Sequence, residues 1–292
     1  MICLANFKGV DSMKGIDVSA WQSIVDWDKV KKAGIEFAMI RIALGVKADS
    51  KAIRNIEECI RVGMPFGVYI YSYALNVVRA EQEADFVVKM LEPYKDKISF
   101  PVVIDMEDAD GYKTKHGMPS NETLVAICEK ECLMFEEAGY YAAIYASKFW
   151  FDTKLKSTKL DRFDKWLAWW YKDAKFDKNK YGLWQYSDAG KVDGIRGSVD
   201  MNESFKDYPS MILKKEEDVM LNELIQKYGE DAVKNALVKL IESVNDDGVE
   251  SDWAKEEYKE AKELGITDGI NPEMFAKRQE VAIMVKRAVK GK

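Results

Sequence analysis

The chain has 292 residues, of which 47% are hydrophobic and 32% are charged, and its formal net charge is −6. This composition is typical of a folded chain with one large and one small domain, and it excludes an intrinsically disordered protein. The acidic balance argues against nucleic acid as the main partner, and no apolar run is long enough to span a membrane.

Residues 1–12 precede the first regular pattern of the sequence. They carry no basic leader and only a short apolar run, so they do not form a convincing secretory signal. We expect a leader, an alternative start or an expression remnant in this segment. The first domain is predicted to begin at Met13 and to end at residue 210.

Short apolar runs alternate with helical patterns through this first domain. Apolar strands that alternate with helices predict a parallel sheet, and eight of them predict an α/β fold with a closed or nearly closed (β/α)8-type barrel. The later connections are short, so the barrel is expected to be irregular. The predicted strands are 14–18, 36–43, 66–73, 100–105, 140–146, 165–170, 181–186 and 197–200, and the predicted helices include 50–62, 78–91 and 120–138.

The segment 100–108 (FPVVIDMED) joins an apolar run to acidic residues. Asp105 and Glu107 are two positions apart, so their side chains point to the same face of a strand. When two acids are buried close together, the pKa of one is raised and it keeps its proton, while the other stays ionised. Glycoside hydrolysis requires such a pair. We predict Glu107 as the general acid and Asp105 as the carboxylate that stays ionised.

Other motifs flank this segment in chain order. They are 14–22 (KGIDVSAWQ), 25–27 (VDW), 181–187 (YGLWQYS), 192–195 (VDGI) and 199–202 (VDMN). Together with 104–107 (IDME) they resemble the family-25 glycoside hydrolases, the muramidases with which phages and bacteria cut peptidoglycan. The resemblance covers residues 13–208. It implies hydrolysis of the β-1,4 bond between N-acetylmuramic acid and N-acetylglucosamine, with no metal or other cofactor.

The resemblance also implies roles for further residues. Asp17 and Asp200 match the two flanking acids of the family, which tune the charge of the central pair and bind substrate. Asp105 would either stabilise positive charge on the acetamido group of the sugar or orient a water molecule, and the sequence leaves both open. Aromatic rings pack on sugar rings and polar groups bind hydroxyls. The candidates for this sugar groove are Arg41, Tyr71, Tyr145, Trp184 and Gln185.

The positions of these candidates on the predicted strands also place them in one site. In a β/α barrel the chemistry lies at the carboxyl ends of the strands, and the four acids, Trp184 and Gln185 all fall at predicted strand ends. Three further tryptophans, Trp166, Trp169 and Trp170, are expected to be partly core, with Trp169 the one able to reach the groove.

Cysteine and histidine usage argues against a zinc site. Four cysteines have no zinc-ligand spacing, and His116 is the single histidine. Cys128 and Cys132 are four positions apart in a helical pattern, which predicts buried free thiols. His116 is expected to be a solvated loop residue.

Two other functions compete with hydrolysis. A non-catalytic protein that only binds wall glycan is the first, although the presence of all four acids counts against it. In the second, Asp105 and Glu107 hold a cation such as Mg²⁺ for phosphoryl transfer. No glycine-rich phosphate loop accompanies the two acids.

Residues 211–292 have a different pattern. The stretch 211–244 is helical, with Gly229 expected to divide it into two helices, and 253–282 is similar to a single surface-layer-homology repeat. We expect a small helical module that binds a wall polymer, self-associates, or does both. The residues before Met220 also suit a ribosome-binding site in the gene, so separate synthesis of this module from Met220 is a further hypothesis.

The expected biological setting is that of a phage endolysin. Such an enzyme stays in the host bacterial cytoplasm until lysis and then acts on the Gram-positive cell wall. The partners that follow are the peptidoglycan glycan strand and a wall polymer or a second copy of the chain, without nucleic acid or membrane.

Overall fold

The computed structural model describes residues 12–22, 25–171, 174–212, 225–227, 229 and 233–235. The chain divides into two compact units, Met1–Ile212 and Leu213–Lys292, and the elements below belong to the first. The hypotheses on the leader up to residue 11, on the Met220 start and on the 253–282 repeat lie outside the described residues. In the second unit, 225–227 and 233–235 are helical, and Gly229 between them has φ +86°.

Eight strands close into a barrel, in the order β1-β2-β4-β5-β6-β7-β8-β9 with β9 paired back to β1. The short strand β3 pairs with β2 outside this ring. The predicted α/β barrel is therefore confirmed. The strands are β1 Met13–Val18, β2 Phe37–Leu44, β3 Lys47–Ala48, β4 Phe66–Tyr71, β5 Val102–Asp105, β6 Ala142–Ser147, β7 Asp164–Ala168, β8 Leu183–Gly190 and β9 Val199–Ser204.

The helices lie between the strands, and side chains cap several of their first turns. Asp26, Asn76, Ser120 and Ser147 each accept a hydrogen bond from a backbone N–H in the following turn. Ser120 is thus the N-cap of the helix that was predicted over 120–138. The α-helices are α1 Trp27–Lys32, α2 Ala52–Val62, α3 Val77–Leu91, α4 Tyr112–Lys115, α5 Asn121–Glu137 and α6 Lys148–Asp152, with 3₁₀ turns at Glu92–Lys97, Thr158–Leu160 and Lys178–Lys180.

The last strand corrects the expectation of a purely parallel sheet. β9 runs antiparallel to both β8 and β1. Only residues 191–198 connect β8 to β9, and a parallel crossover needs about a dozen residues or more, so the chain turns back as a hairpin. Asp200 consequently lies at the start of its strand, yet it pairs with Asp17 and stays on the face formed by the carboxyl ends of the parallel strands.

Aromatic side chains fill the amino-terminal end of the barrel. Phe37 and Phe100 stack with ring centroids 4.4 Å apart, and Tyr208 packs against Phe100 at 5.3 Å. Gly67 leaves room for this layer, since a Cβ there would lie 2.5 Å from the carbonyl oxygen of Pro101. The barrel is thus filled at one end.

A second apolar core lies between the strands and the helices. Cys59, Cys128 and Cys132 belong to it as buried free thiols, which confirms the prediction for the latter two. In the part of the chain that the structure describes, no helix has the length and apolarity to cross a membrane.

Candidate active site

A cavity of about 480 Å³ opens at the carboxyl ends of the parallel strands. Acidic and aromatic side chains dominate its wall, which suits a polar ligand with flat apolar faces, such as a sugar. The lining residues are Asp17, Ser19, Trp21, Gln22, Arg41, Leu44, Tyr69, Tyr71, Tyr73, Asp105, Glu107, Ala109, Asp110, Tyr145, Trp166, Gln185 and Asp200.

Strand β5 brings Asp105 and Glu107 into this cavity. Asp105 is the last residue of the strand, whereas Glu107 lies in the loop that follows it. The Oδ1 atom of Asp105 is buried and has no hydrogen-bond partner among the described residues. Both acids nevertheless line the same cavity.

Burial perturbs both of these acids. It raises the pKa of Glu107 to about 7, against an opposing effect of the Lys113 ammonium. Burial, followed by the negative charge of Glu107, raises the pKa of Asp105 well above its ordinary value. This direction is opposite to the expected ionised Asp105, because the two neighbouring acids cannot both lose a proton easily in a dry site.

Asp17 is the centre of a buried hydrogen-bond network. Its Oδ2 atom accepts from Nδ2 of Asn202 at 2.8 Å and from Nε2 of Gln185 at 3.0 Å. Asn202 in turn accepts from the indole Nε1 of Trp166 at 2.8 Å. Burial raises the pKa of Asp17, but the hydrogen bonds from Asn202, Gln185 and Asp200 oppose that rise.

Asp200 donates to Asp17 in this network. Burial and the negative charge of Asp17 raise the pKa of Asp200 to about 9, so it carries a proton at neutral pH. A neutral Asp200 beside Asp17 limits the negative charge that accumulates at the end of the barrel.

Gln185 links the network to two aromatic residues. Its Oε1 atom accepts from the hydroxyl of Tyr145 and from the indole Nε1 of Trp170, both at 2.9 Å. The side chain of Gln185 is therefore held at both ends, and its amide nitrogen is directed toward Asp17.

Two further carboxylates, Asp49 and Asp110, bind other side chains that line the cavity. Arg41 is paired with Asp49, with its Nε 2.9 Å from Oδ2. The hydroxyls of Tyr71 and Tyr73 donate to Asp110 at 3.3 and 2.8 Å. These contacts fix the orientation of groups that face the cavity.

Most of the residues predicted for the site come together in the cavity. They are Asp17, Arg41, Tyr71, Asp105, Glu107, Tyr145, Gln185 and Asp200. Trp184 does not join them, because successive strand residues face opposite sides and its neighbour Gln185 faces inward. The Trp184 indole donates to the carbonyl oxygen of Trp169 at 3.0 Å and packs against Phe176 outside the barrel.

Trp169 packs in the outer core with Trp184, whereas Trp166 lines the cavity and Trp170 contacts the site through its hydrogen bond to Gln185. His116 is exposed at the end of α4, as predicted, and its Nδ1 donates to the carbonyl oxygen of Tyr112 at 2.7 Å. Among the described residues, no group of three or more His, Cys, Asp or Glu side chains is arranged to hold a metal ion.

Several residues of the site were not singled out from the sequence. Asn202 could have been predicted, since it stands two positions after Asp200 and therefore on the same face of a strand. Tyr73, Asp110 and Trp21 lie in loops after strands, where no periodicity shows the direction of a side chain.

Residues 16–195 match the family described as Glycosyl hydrolases family 25. The chain belongs to this family. It is therefore a glycoside hydrolase, and its cavity occupies the usual place of an active site in a β/α barrel. The matched residues include Asp17, Asp105 and Glu107, while Asp200 lies just beyond them.

Relatives of this glycoside hydrolase include lysozymes. Lysozyme M1 of Streptomyces globisporus is 26% identical over 198 residues, which are 65% of this chain and 67% of that enzyme. The autolysin LytC of Streptococcus pneumoniae, solved in complex with a synthetic peptidoglycan ligand, is 28% identical with a TM-score of 0.61. That match covers 66% of this chain but 46% of LytC, so the chain spans less than half of the autolysin.

A third comparison concerns the fold alone. The bacterial lysozyme of Streptomyces coelicolor is 23% identical with a TM-score of 0.58, and the match covers 70% of this chain and 96% of that one. The barrel fold is thus shared with a known bacterial lysozyme.

Proposed function

We propose that this family-25 enzyme is a muramidase, which hydrolyses the β-1,4 bond from N-acetylmuramic acid to N-acetylglucosamine in peptidoglycan. The observation that carries the proposal is the pair Asp105 and Glu107 at one wall of an open cavity, with the pKa of Glu107 raised to about 7. The peptidoglycan ligand of LytC and the lysozyme activity named for M1 support the same substrate.

Glu107 acts as the general acid in this mechanism. A carboxyl group with a pKa near 7 holds its proton at neutral pH and gives it readily to the glycosidic oxygen as the bond breaks. The leaving sugar then departs as a neutral alcohol, and the remaining sugar carries the positive charge of an oxocarbenium-like transition state.

Asp105 stabilises this positive charge. Its raised pKa means that the ionised form is costly before the reaction, and the developing cation beside it makes that form favourable as the reaction proceeds. The carboxylate supports attack by the acetamido group of the sugar or orients the attacking water, and both routes fit a group at this position.

The remaining predicted residues bind the glycan. Arg41, Tyr71, Tyr145 and Gln185 line the cavity and are each held by a hydrogen bond or ion pair, so little order has to be gained when a sugar binds. Trp21 also lines the cavity with 82% of its surface exposed, which offers an apolar face for a sugar ring.

The biological role that we infer is host lysis by a phage endolysin. The enzyme would be held in the host cytoplasm until lysis and would then reach the Gram-positive cell wall. Residues 211–292 would bind a wall polymer or a second copy of the chain, and the sequence similarity of 253–282 to a wall-associated repeat supports this role. Cell-wall binding by the isolated 211–292 segment, measured by sedimentation with purified walls, tests that part of the proposal.

The nature of the cleaved bond decides between a muramidase and other wall hydrolases. Purified Gram-positive peptidoglycan is digested with the full chain, the new ends are reduced with borohydride, and the fragments are identified by mass spectrometry. Reduced muramic acid at the new ends is the expected product. Reduced glucosamine ends, new amino termini, or an intact glycan that merely retains the protein would each contradict the proposal.

A further inference from the structure

Lys113 is a buried lysine beneath the wall of the cavity that carries Glu107. It lies in the short helix α4, six positions after Glu107, with 1% of its surface exposed. Its ammonium donates to the carbonyl oxygen of Glu107 at 2.9 Å and to the carbonyl oxygen of Ser72. A charged group with so little exposure is retained in a fold only when its partners are well placed.

The two carbonyl groups belong to neighbouring segments of the site. Ser72 directly follows β4 and Glu107 follows β5, and the N–H of Ser72 also donates to the carbonyl oxygen of Asp105 at 3.1 Å. The ammonium of Lys113 therefore joins the ends of two adjacent strands at the point where Glu107 leaves the sheet. It also lies 5.7 Å from the ring centroid of Tyr71, which lines the cavity.

Two fully buried acids accompany this ammonium. Glu83 on α3 accepts from the hydroxyl of Ser72 at 2.7 Å and from the N–H of Tyr73 at 3.1 Å. The Oε1 atom of Glu131 on α5 lies 3.4 Å from the same hydroxyl oxygen. Burial lowers the pKa of Lys113, and the negative charges of Asp105 and Glu83 oppose that fall. Lys113 in turn opposes the rise in the pKa of Glu131, so the lysine belongs to a set of buried groups whose charges offset one another.

The loop between Glu107 and Lys113 is folded back by two further carboxylates. Asp108 accepts from the backbone N–H of Lys113 at 2.6 Å and of Thr114 at 3.0 Å. Asp110 accepts from the backbone N–H of Tyr112 at 3.0 Å. The loop is thus closed on itself. Tyr71 and Tyr73 hold it through Asp110, and Lys113 fastens its Glu107 end to the carbonyl oxygen of Ser72 after β4.

We propose that Lys113 is a positioning residue for catalysis, whose ammonium fixes the backbone at Glu107 and thereby aims the carboxyl group of Glu107 at the glycosidic oxygen. The inference rests on the proposed role of Glu107 as the general acid. Lys113 itself does not touch the substrate. A displacement of a catalytic group by about 1 Å costs on the order of 100-fold in rate, so loss of this anchor lowers kcat.

Substitution of Lys113 by methionine removes the ammonium and keeps a side chain of similar length. We expect kcat on a soluble peptidoglycan oligosaccharide to fall about 100-fold, with KM changed by less than about threefold, because the cavity wall is otherwise intact. The matched control is Lys115→Met, since Lys115 lies in the same helix and is exposed.

The pH profile distinguishes positioning from a general loss of structure. Lys113 lowers the pKa of Glu107, so its removal moves the alkaline limb of kcat/KM to higher pH, whereas partial unfolding leaves the limb in place. The other charged or titratable groups that act on Glu107 or on Lys113 stay unchanged in this variant. They are Asp17, Tyr71, Glu83, Asp105, Asp108, Asp110, Cys128, Glu131, Tyr145 and Asp200.

A double variant keeps the test valid if Lys113→Met folds poorly. Combining it with Glu83→Gln removes one buried negative charge together with the positive one, which restores neutrality and is expected to restore stability. The proposal predicts that kcat stays low in the folded double variant, while Glu83→Gln alone keeps more activity than Lys113→Met. Recovery of kcat together with stability would overturn it.

Hydrogen exchange of the peptide 105–112 gives a readout that does not depend on activity. Faster exchange in Lys113→Met than in Lys115→Met supports the anchor, and unchanged exchange with unchanged kcat overturns it. Failure of the wild-type chain to release muramic acid ends would instead count against the proposed function. In that case, the hydrogen-exchange comparison alone decides whether Lys113 fastens the loop.

Discussion

Asn202 is the residue whose removal tests the network around Asp17 most severely. Its side chain is fully buried, donates to Asp17 at 2.8 Å and accepts from the Trp166 indole at 2.8 Å. Asn202→Ala leaves a buried indole N–H without a partner, at a cost of about 1–3 kcal/mol. It also removes one donor from a carboxylate, which contributes about 1.5–3 kcal/mol.

These two losses are expected to lower the free energy of unfolding by about 2–5 kcal/mol at pH 7, since they are not fully additive. Urea unfolding followed by tryptophan fluorescence measures the difference. Release of reducing ends from peptidoglycan should fall as well, because Asp17 loses a hydrogen bond that holds its pKa down and its orientation fixed.

Asn202→Asp separates the role of the donor from the role of the acceptor. Its Oδ1 atom still accepts from Trp166, and a protonated carboxyl still donates to Asp17. Beside Asp17 the pKa of the new acid is raised in the folded state, so the variant binds an extra proton when folded. Its stability should therefore match wild type most closely near pH 4 and fall behind it as pH rises above the ordinary pKa of about 4. A cost below about 1 kcal/mol for Asn202→Ala, or a cost for Asn202→Asp that does not depend on pH, would refute this reasoning.

Three further predictions follow from the site and the barrel. The rate constant kcat/KM should fall about tenfold per pH unit above pH 7, since Glu107 has a pKa of about 7 and must hold its proton; initial rates on solubilised glycan measure this. The free energy of unfolding of wild type should fall between pH 4 and 9, because folded Asp200 keeps a proton that the unfolded chain loses. Asp200→Asn should show a smaller fall in urea unfolding, by up to about 1.4 kcal/mol per pH unit and by less where solvent reaches the group. Gly67→Ala should lower the free energy of unfolding by at least about 1–3 kcal/mol in urea, because its Cβ would lie 2.5 Å from the Pro101 carbonyl oxygen.

Each of these predictions has a result that contradicts it. Activity that stays constant up to pH 9 would exclude Glu107 as a general acid with a pKa near 7. Identical pH dependence of stability in Asp200→Asn and wild type would mean that Asp200 does not carry an additional proton. A Gly67→Ala chain that is as stable as wild type would mean that close packing at the filled end of the barrel does not require glycine.

The alternation of strands and helices predicted the barrel because its strands are apolar on both faces. The runs around 37–44, 66–71 and 102–105 are buried on both sides, so their sequence shows no period of two, and Arg41 and Asp105 are their only charged residues. The direction of β9 was not predicted, although the short connection at 191–198 contained the information. The hairpin still places Asp200 beside Asp17.

The same double burial explains the error at Trp184. Trp184 and Gln185 are neighbours on β8, and only one of them can face the cavity. Both faces of this strand are covered by protein, so an aromatic residue is equally suited to the outer core and to a sugar groove. Asp17, Asp105 and Glu107 were easier to place, because an acid at the end of an apolar strand is costly to bury and is not suited to packing in an apolar core.

The burial of Lys113 and the raised pKa of Asp105 could not be predicted from the sequence. Lysine in a Lys-rich loop is usually solvated, and nothing in residues 111–117 shows that one of the lysines is buried against Glu83 and Glu131. The raised pKa of Asp105 depends on burial and on the distance to Glu107, and a spacing of two residues does not determine either.

Comparison of the wild type with Glu107→Gln tests the proposed muramidase mechanism most directly. The amide has nearly the shape of the acid but cannot donate an acidic proton, and Glu137→Gln provides the same exchange at an exposed site on α5. We expect release of muramic acid reducing ends to fall by about 100-fold or more in Glu107→Gln, with binding to insoluble peptidoglycan retained, and to be unchanged in Glu137→Gln. Release of the same ends by Glu107→Gln at a rate close to wild type would contradict the assignment of Glu107 as the proton donor.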